Sequence, residues 1–326
     1  MKMILVFFTC YLPLLHAVHL GEVRNIDPSP VGALVKIERS DFKYIDYFNS
    51  YPSIKVSCSL VRIAKDIAIT NNHCVYPFID DNGKWDLYKG FELFVSFSPK
   101  LVKTTSKDEI VLHKIKNVLH QYDVSNNKNK EFWDRLMSGL SGSTWNEILN
   151  KFIPSDMALI QFEVNSEEQN FSIAQLGLPH DYNHELSIVF SGYGPREFAP
   201  GGEPTSENNG IKLYNDGVLV KGNPEVPDNT KISWTISNGN AGGLPTDSGG
   251  YIGTIDSETN THVLYSLIIM NPFKTIELTD GRTQYISAVK RFENKDIDWI
   301  KESINKLYEL DEGDQIKLIS HPRYEF

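Results

Sequence analysis

Short apolar runs of β-forming residues, separated by turn-rich stretches, follow one another along most of the chain. Runs of this length and spacing are typical of antiparallel barrels and sandwiches, in which each strand ends at a tight turn. The stretches Asp80–Gly83 and Ala199–Pro204 carry the Gly, Pro, Asn and Asp residues that such turns need. We therefore expect an all-β fold. The runs are Ala33–Ile37, Ile54–Arg62, Asp66–Thr70, Phe91–Phe97, Met157–Glu163, Glu185–Ser191, Ile211–Val220, Lys231–Ile236, His262–Ile269 and Gln284–Val289.

Two segments have a helical spacing of apolar residues instead. In residues 131–152 the helical spacing is interrupted near Ser141–Ser143, and we expect a helical insertion there. Segment Lys295–Glu309 predicts an amphipathic closing helix, because its apolar residues fall on one face. These are Ile297, Ile300, Ile304 and Leu307. A polar tail, residues 310–326, follows it.

The first seventeen residues have the features of a secretory signal peptide. Lys2 supplies the positive charge, Ile4–Leu15 is an apolar run too short to cross a bilayer comfortably, and Ala17 suits signal-peptidase cleavage. An uncleaved anchor is the alternative reading. We expect residues 18–30 to form an N-terminal arm or a propeptide. The mature protein is then secreted, extracellular or periplasmic, and holds no membrane segment.

Composition and cysteine usage restrict the partners and cofactors that the protein could bind. The chain has 326 residues, of which 40% are hydrophobic and 23% charged, which is typical of a globular protein. Its formal charge of −10 argues against nucleic acid or an anionic membrane as partner. Signal cleavage leaves Cys58 and Cys74, which predict one disulfide in an oxidising compartment. No Cys or His cluster has ligand spacing, so we expect neither a metal nor a cofactor.

Three segments carry residues suited to chemistry. His73 follows the apolar run Ala68–Thr70, Asp156 opens the apolar run Met157–Ile160, and Ser248 lies in an Asp-Ser-Gly-Gly turn. Each alone has an ordinary structural explanation: a core histidine, a capping aspartate, a β-turn. Together they satisfy a physical requirement. A serine hydroxyl is a poor nucleophile unless a base lies within hydrogen-bond reach, and the base needs a fixed tautomer.

These segments, in the chain order His, Asp, Ser, resemble the motifs of the trypsin/chymotrypsin family of serine peptidases. The family shows Thr-Ala-Ala-His-Cys, Asp-Ile-Ala-Leu and Gly-Asp-Ser-Gly-Gly, and the matching segments here are Thr70–Cys74, Asp156–Leu159 and Thr246–Gly250. Further short matches extend the resemblance over roughly Val31–Leu307. They are Ser191–Gly194, His120–Tyr122, Tyr285, Asp298–Ile300 and the pair Cys58 and Cys74.

The resemblance implies a fold and a set of roles. The fold would be two six-stranded antiparallel β-barrels with the active site between them and a C-terminal α-helix, spanning residues 31–309. His73 would be the general base, Asp156 its orienting carboxylate and Ser248 the nucleophile. Backbone N–H groups of Ser248 and Thr246 would form the oxyanion hole, worth about 3 kcal/mol per donor. Ser266 would hydrogen-bond the catalytic aspartate, on a strand that also pairs with the substrate.

The chain also departs from the family. Thr246 replaces the glycine of the oxyanion position, and Gly242 replaces the aspartate that gives trypsins their preference for Lys and Arg. Ile268 and Thr283 fall at wall positions of the specificity pocket, which predicts a shallow pocket for small or medium apolar side chains. An activation site is not evident: Val31-Gly32 lies at about the expected distance from His73, and cleavage after Arg24 is the other candidate.

The resulting expectation is a secreted, monomeric serine endopeptidase that acts on proteins or peptides. The first alternative is a catalytically weak or inactive homologue that binds proteins through the same cleft. A second alternative is an all-β adhesion module, which would account for the β-runs but not for the ordered motifs.

Overall fold

A computed structural model describes the main part of the chain. The described residues are 28–42, 49–75, 91–121, 131, 153–164, 171–178, 185–194, 210–221, 233–237, 247–256, 258–277 and 283–310. The predicted signal peptide, most of the N-terminal arm, the helical insertion apart from its first residue, and the tail beyond residue 310 lie outside them. Within the described residues, no helix is both long and apolar enough to cross a membrane.

Six strands form a closed antiparallel barrel in the order β1-β2-β3-β6-β5-β4. Strand β1 closes it by pairing with both β2 and β4. Most of β1 is buried, so that both of its faces meet apolar neighbours. The strands are β1 (Val31–Glu38), β2 (Lys55–Arg62), β3 (Ile67–Thr70), β4 (Phe91–Ser96), β5 (His113–His120) and β6 (Ala158–Phe162).

Seven strands form a second sheet in the order β11-β8-β9-β10-β13-β12-β7. All its pairs are antiparallel except the short β7, which runs parallel to β12. Strands β11 and β12 also pair with each other. The strands are β7 (Gln175–Leu176), β8 (Glu185–Gly192), β9 (Leu213–Lys221), β10 (Ser233–Ser237), β11 (Tyr251–Asp256), β12 (Thr261–Glu277) and β13 (Thr283–Arg291).

Strand β12 is longer than the run His262–Ile269 that predicted it. Asn271-Pro272 is a turn signal in the sequence, yet the strand continues to Glu277. The pairing with β13 shifts on both sides of Pro272, and such irregularities are where a strand accommodates a proline that lacks an N–H. The same irregularity follows Ile268, so the backbone that comes next leaves the regular ladder.

The closing helix is confirmed and packs on the first barrel. It spans Asn294–Leu310, close to the predicted bounds. Its apolar face joins the core cluster that contains Ile67, Met157 and Leu159 of the barrel. Tyr308 Oη donates to Asp66 Oδ1 at 2.9 Å, which anchors the end of the helix. The helices are α1 (Arg39–Phe42), α2 (Asn72–Val75), α3 (Ile153–Ser155) and α4 (Asn294–Leu310), with a 3-10 turn at Lys107–Glu109.

The expected fold is thus confirmed in its coarser form. The molecule is mostly β, with one closed six-stranded antiparallel barrel and a C-terminal helix. The other strands stand as a seven-stranded sheet rather than as a demonstrated second barrel.

Candidate active site

The His73 imidazole and the Asp156 carboxylate lie against each other at one end of the first barrel. Asp156 Oδ2 is 2.7 Å from His73 Nδ1, and Asp156 Oδ1 accepts the His73 backbone N–H at 2.9 Å. The Asp156 side chain is fully buried, whereas the His73 ring is 20% exposed. A carboxylate only accepts, so this contact places a ring proton on Nδ1. The arrangement is that of an imidazole base with a fixed tautomer.

Two asparagines that precede His73 tie its turn to the surrounding barrel. Asn71 Nδ2 donates to the Asp156 carbonyl oxygen at 3.0 Å, and both side chains are fully buried. Asn72 Oδ1 accepts a hydrogen bond from the ring of His120, the last residue of β5. Burial lowers the pKa of His120 to about 3, which keeps this ring neutral at ordinary pH. The position of His73 relative to Asp156 is therefore set by side chains as well as by the strands.

The predicted disulfide between Cys58 and Cys74 is present. It joins β2 to α2, with 6.0 Å between the two Cα atoms, and holds the turn that carries His73. Sulfur atoms of this disulfide and a ring nitrogen of His73 lie within 4.8 Å of one another. This group does not form a metal site, because disulfide sulfurs are not thiolates.

The Ser248 turn is bonded to both sheets. Ser59 N of β2 donates to the Ser248 carbonyl oxygen at 2.9 Å, and Gly249 N donates to the Ile268 carbonyl oxygen of β12 at 2.8 Å. Cys74 Sγ lies 3.8 Å from the same Ser248 oxygen. Ser248 is thus held beside the turn that carries His73, at the junction of the barrel and the second sheet.

Glycine is required immediately after Ser248. Gly249 has a φ of +81°, which L side chains rarely adopt. A Cβ atom there would lie 2.2 Å from Thr70 Oγ1 and 2.3 Å from the Ser59 carbonyl oxygen. The Asp-Ser-Gly-Gly turn therefore approaches the barrel as closely as a backbone allows.

The Ser248 hydroxyl donates to the carbonyl oxygen of Ile269 at 3.1 Å. Ile269 follows the point at which β12 leaves its regular pairing with β13, which is what presents this carbonyl to the turn. A hydroxyl has one proton, so the Ser248 O–H must turn away from Ile269 before it offers that proton to an imidazole.

Asp247 occupies a close-fitting backbone pocket next to Ser248. It is fully buried, and its Oδ1 accepts Gly194 N–H at 2.6 Å. A Cβ at Gly192 or Gly194 would lie 2.3 Å from its carboxylate oxygens. The Ser-Gly-Tyr-Gly segment, Ser191–Gly194, therefore lies against the carboxylate of Asp247, the residue that precedes the nucleophile candidate.

Val31 is the first residue of a barrel strand. It is fully buried, and its N–H donates to Ser29 Oγ at 3.1 Å. Cleavage before Val31 would make the new N-terminus the first residue of β1, because the strand begins at Val31.

The expected role of Ser266 at Asp156 is wrong. Its hydroxyl is fully buried and donates to the Lys290 carbonyl oxygen at 2.6 Å. That bond uses its single proton, so the hydroxyl has none for the aspartate. The β12 residue that meets Ser248 is Ile269, three positions further along. The register of β11 on β12 shifts between Ile252 and Gly253, before Ser266 is reached along the chain, and counting from Ser248 misses such a shift.

The other predicted pocket residues have different outcomes. Ile268 is 2% exposed in the core of the second sheet, packed with Phe190 and Ile252, and its role as a pocket wall stays a prediction. Thr283 is the first residue of β13 and pairs with Glu277. Gly242 and Thr246 lie outside the described residues, so their roles stay predictions.

No known family model matches this chain, and no curated protein matches it either.

Proposed function

We propose that this chain is a serine endopeptidase with His73 as general base, Asp156 as its orienting carboxylate and Ser248 as nucleophile. The observation that carries the proposal is the 2.7 Å contact between His73 Nδ1 and buried Asp156 Oδ2, beside a turn that holds Ser248. A surface ion pair needs no such burial, whereas a general base needs a fixed tautomer.

The chemistry follows from these three groups. After rotation away from Ile269, the Ser248 hydroxyl gives its proton to His73 Nε2 as Oγ attacks the substrate carbonyl carbon. The Asp156 carboxylate stabilises the imidazolium that forms. Collapse of the tetrahedral adduct transfers the proton to the leaving amine and leaves an acyl-enzyme, which water then hydrolyses.

The fold supports the same proposal in its finer form. We propose that the second sheet is the second barrel, because the extra pairing of β11 with β12 joins the first strand of its order to the last but one. Ser248 then lies between two barrels, as the resemblance to the trypsin/chymotrypsin family implies. The disulfide is consistent with a secreted, monomeric enzyme that acts on protein or peptide substrates.

One observation favours a second candidate, a weak or inactive homologue that binds proteins through this cleft. The Ser248 hydroxyl gives its proton to the Ile269 carbonyl rather than to a base. In an active enzyme this bond is a resting state that substrate displaces. In a binding protein it is permanent.

Labelling with a fluorophosphonate probe tests the proposal. We expect the mature protein to be labelled stoichiometrically, with the adduct on Ser248, and Ser248→Ala to remove the label. Ser187→Ala is the matched control, because Ser187 is an exposed strand serine of β8 and its loss leaves labelling unchanged. A folded, mature protein that takes up no label would overturn the peptidase proposal and favour the binding protein.

A further inference from the structure

A buried ion pair lies where the second sheet, the closing helix and the segment before Asp156 meet. Lys290 Nζ of β13 is 3.0 Å from Asp296 Oδ1 of α4, and the two side chains are 3% and 0% exposed. Burial lowers the pKa of Lys290, and the attraction of Asp296 opposes that shift. Because desolvation cancels much of what a buried pair returns, such a pair is weak evidence for a purely stabilising role.

The ion pair holds the chain just before Asp156. Lys290 Nζ donates a second hydrogen bond to the carbonyl oxygen of Pro154 at 2.8 Å. Pro154 lies in α3, the single turn that leads into Asp156. The ammonium therefore fixes the backbone two residues before the carboxylate that contacts His73.

The same ion pair holds the chain just after Asp156. Asp296 Oδ1 also accepts Gln121 Nε2 at 2.7 Å, and Gln121 N donates to the Met157 carbonyl oxygen at 2.9 Å. Residues 122–152 separate Gln121 from α3 along the chain, so no short loop sets the distance between them. The ion pair joins the two ends of that stretch.

Both ions are themselves fixed by other elements. Asp296 Oδ2 accepts Glu293 N–H at 2.9 Å, which closes the first turn of α4. The Lys290 backbone carbonyl accepts the Ser266 hydroxyl at 2.6 Å. The ammonium and the carboxylate thus have little freedom to move, and the segment around Asp156 is held against a rigid support.

We propose that Lys290 and Asp296 are positioning residues that hold the backbone on both sides of Asp156 so that its carboxylate meets His73. The proposal rests on the proposed function for its catalytic meaning. The hydrogen bond between His73 and Asp156, however, exists whether or not the chain is a peptidase. It therefore provides a readout that does not depend on activity.

The test compares Lys290→Met with the double variant Lys290→Met/Asp296→Leu in the full mature protein. Removing the cation alone leaves a buried carboxylate unpaired, and that variant is expected to be destabilised. The double variant replaces both charged side chains with apolar ones, so no buried charge is left unpaired and the variant is expected to fold. The readouts are the low-field proton resonance of His73 Nδ1–H, kcat and KM.

In the double variant we expect the low-field resonance to broaden or to move upfield. We expect kcat to fall by roughly 10- to 100-fold, because a displacement of about 1 Å in a catalytic group is worth up to about that factor. KM is expected to stay within about twofold, since the variant removes no substrate contact. Arg62→Met is the matched control, because Arg62 is a buried cation that contacts Phe rings and the Lys65 carbonyl. It should lower stability without moving the resonance.

A folded double variant with unchanged resonance and unchanged kcat overturns the proposal. An equal loss of the resonance in Arg62→Met also overturns it, because the effect then comes from general destabilisation. If the wild-type protein shows the resonance but hydrolyses no peptide, the proposed function fails, and loss of the resonance in the double variant still supports the positioning role.

Discussion

The two halves of the candidate site are built differently. His73 is joined to the buried Asp156 carboxylate by two hydrogen bonds, one from its backbone N–H and one from its ring. The Ser248 turn is instead held by backbone bonds, from Ser59 N to the Ser248 carbonyl and from Gly249 N to the second sheet, and the Ser248 hydroxyl donates to the Ile269 carbonyl. The proposed base is therefore held by its contacts with one buried carboxylate, whereas the proposed nucleophile has a fixed backbone and a hydroxyl that must turn away from Ile269.

This difference indicates where substitutions should act. Changes on the Asp156 side should remove catalysis by disturbing the tautomer or orientation of the base. Changes on the Ser248 side should act through the backbone of the turn, and through the barrel it approaches.

Asp156→Asn should have the largest effect. An amide in this position can donate to Nδ1 and so favours the wrong tautomer of His73, which costs about 10⁴-fold in kcat in enzymes of this template. The fold should persist, since the side chain keeps its size and one acceptor for His73 N–H. The measurement is kcat on a peptide substrate, with the thermal midpoint as control. Full activity in a folded variant would show that Asp156 does not orient the base.

Gly249→Ala should disrupt the Ser248 side of the candidate site. The new methyl group meets Thr70 Oγ1 and the Ser59 carbonyl oxygen in a backbone conformation that disfavours side chains. We expect a loss of unfolding free energy of more than about 2 kcal/mol, together with loss of fluorophosphonate labelling. Urea unfolding measures the first effect. An alanine variant with wild-type stability would contradict the close approach of the turn to the barrel.

His262→Leu should make the stability of the protein less sensitive to acid. His262 of β12 is fully buried, and neither ring nitrogen has a hydrogen-bond partner among the described residues. Burial, and then Lys212, lower its pKa to about 4. Below pH 6.5 the unfolded chain takes up a proton that the folded chain refuses until about pH 4, so stability falls across this window.

The size of this effect is at most about 3 kcal/mol between pH 6.5 and 4, by proton linkage. We expect the leucine variant to show a flatter dependence of unfolding free energy on pH than the wild type. Denaturant titrations at pH 7 and pH 5 measure it. Parallel pH curves for the two proteins would place the acid sensitivity elsewhere.

Asn71→Ala should affect catalysis moderately. It removes the bond to the Asp156 carbonyl oxygen at the carboxylate side of the site. Losing one buried hydrogen bond costs about 1–3 kcal/mol, and we expect kcat to fall by roughly tenfold with KM little changed. Steady-state kinetics decide this. An unchanged kcat would show that the bond from Asn71 does not help to position Asp156.

Ser266→Ala should have the smallest effect on catalysis. The resemblance implied a bond to Asp156, whereas the hydroxyl donates to Lys290. We expect kcat within about threefold of the wild type and a stability loss of about 1 kcal/mol. A loss of kcat as large as that of Asn71→Ala would contradict this and show that Ser266 supports the site, directly or through Lys290.

Much of this architecture was predictable from the sequence, because apolar runs and turn residues mark strands directly. The closing helix and the disulfide followed from spacing and compartment. Strand β5 was missed because Lys114 and Lys116 alternate with apolar residues and leave no apolar run. The end of β12 was placed too early because Pro272 reads as a breaker, while the sheet accommodates it at an irregularity.

The details of the site were less predictable. The segments of His73, Asp156 and Ser248 were found because the order of their motifs is specific. Ser266 was assigned by counting along the chain, and a bulge cannot be counted from residue types. Asn71 offered one signal, since it stands where the family motif has alanine. The Lys290–Asp296 pair gave none, because a lysine in a strand and an aspartate in a first helical turn are ordinary surface patterns.

The rate at which Ser248 is phosphonylated shows whether His73 takes the proton from the Ser248 hydroxyl. The measurement is the second-order rate constant for reaction of Ser248 with a fluorophosphonate in the wild-type protein and in His73→Ala. The account predicts a fall of roughly 10³-fold or more in the variant, since an unassisted hydroxyl is a poor nucleophile. Equal rate constants in the two proteins, with the adduct on Ser248 in both, would contradict it.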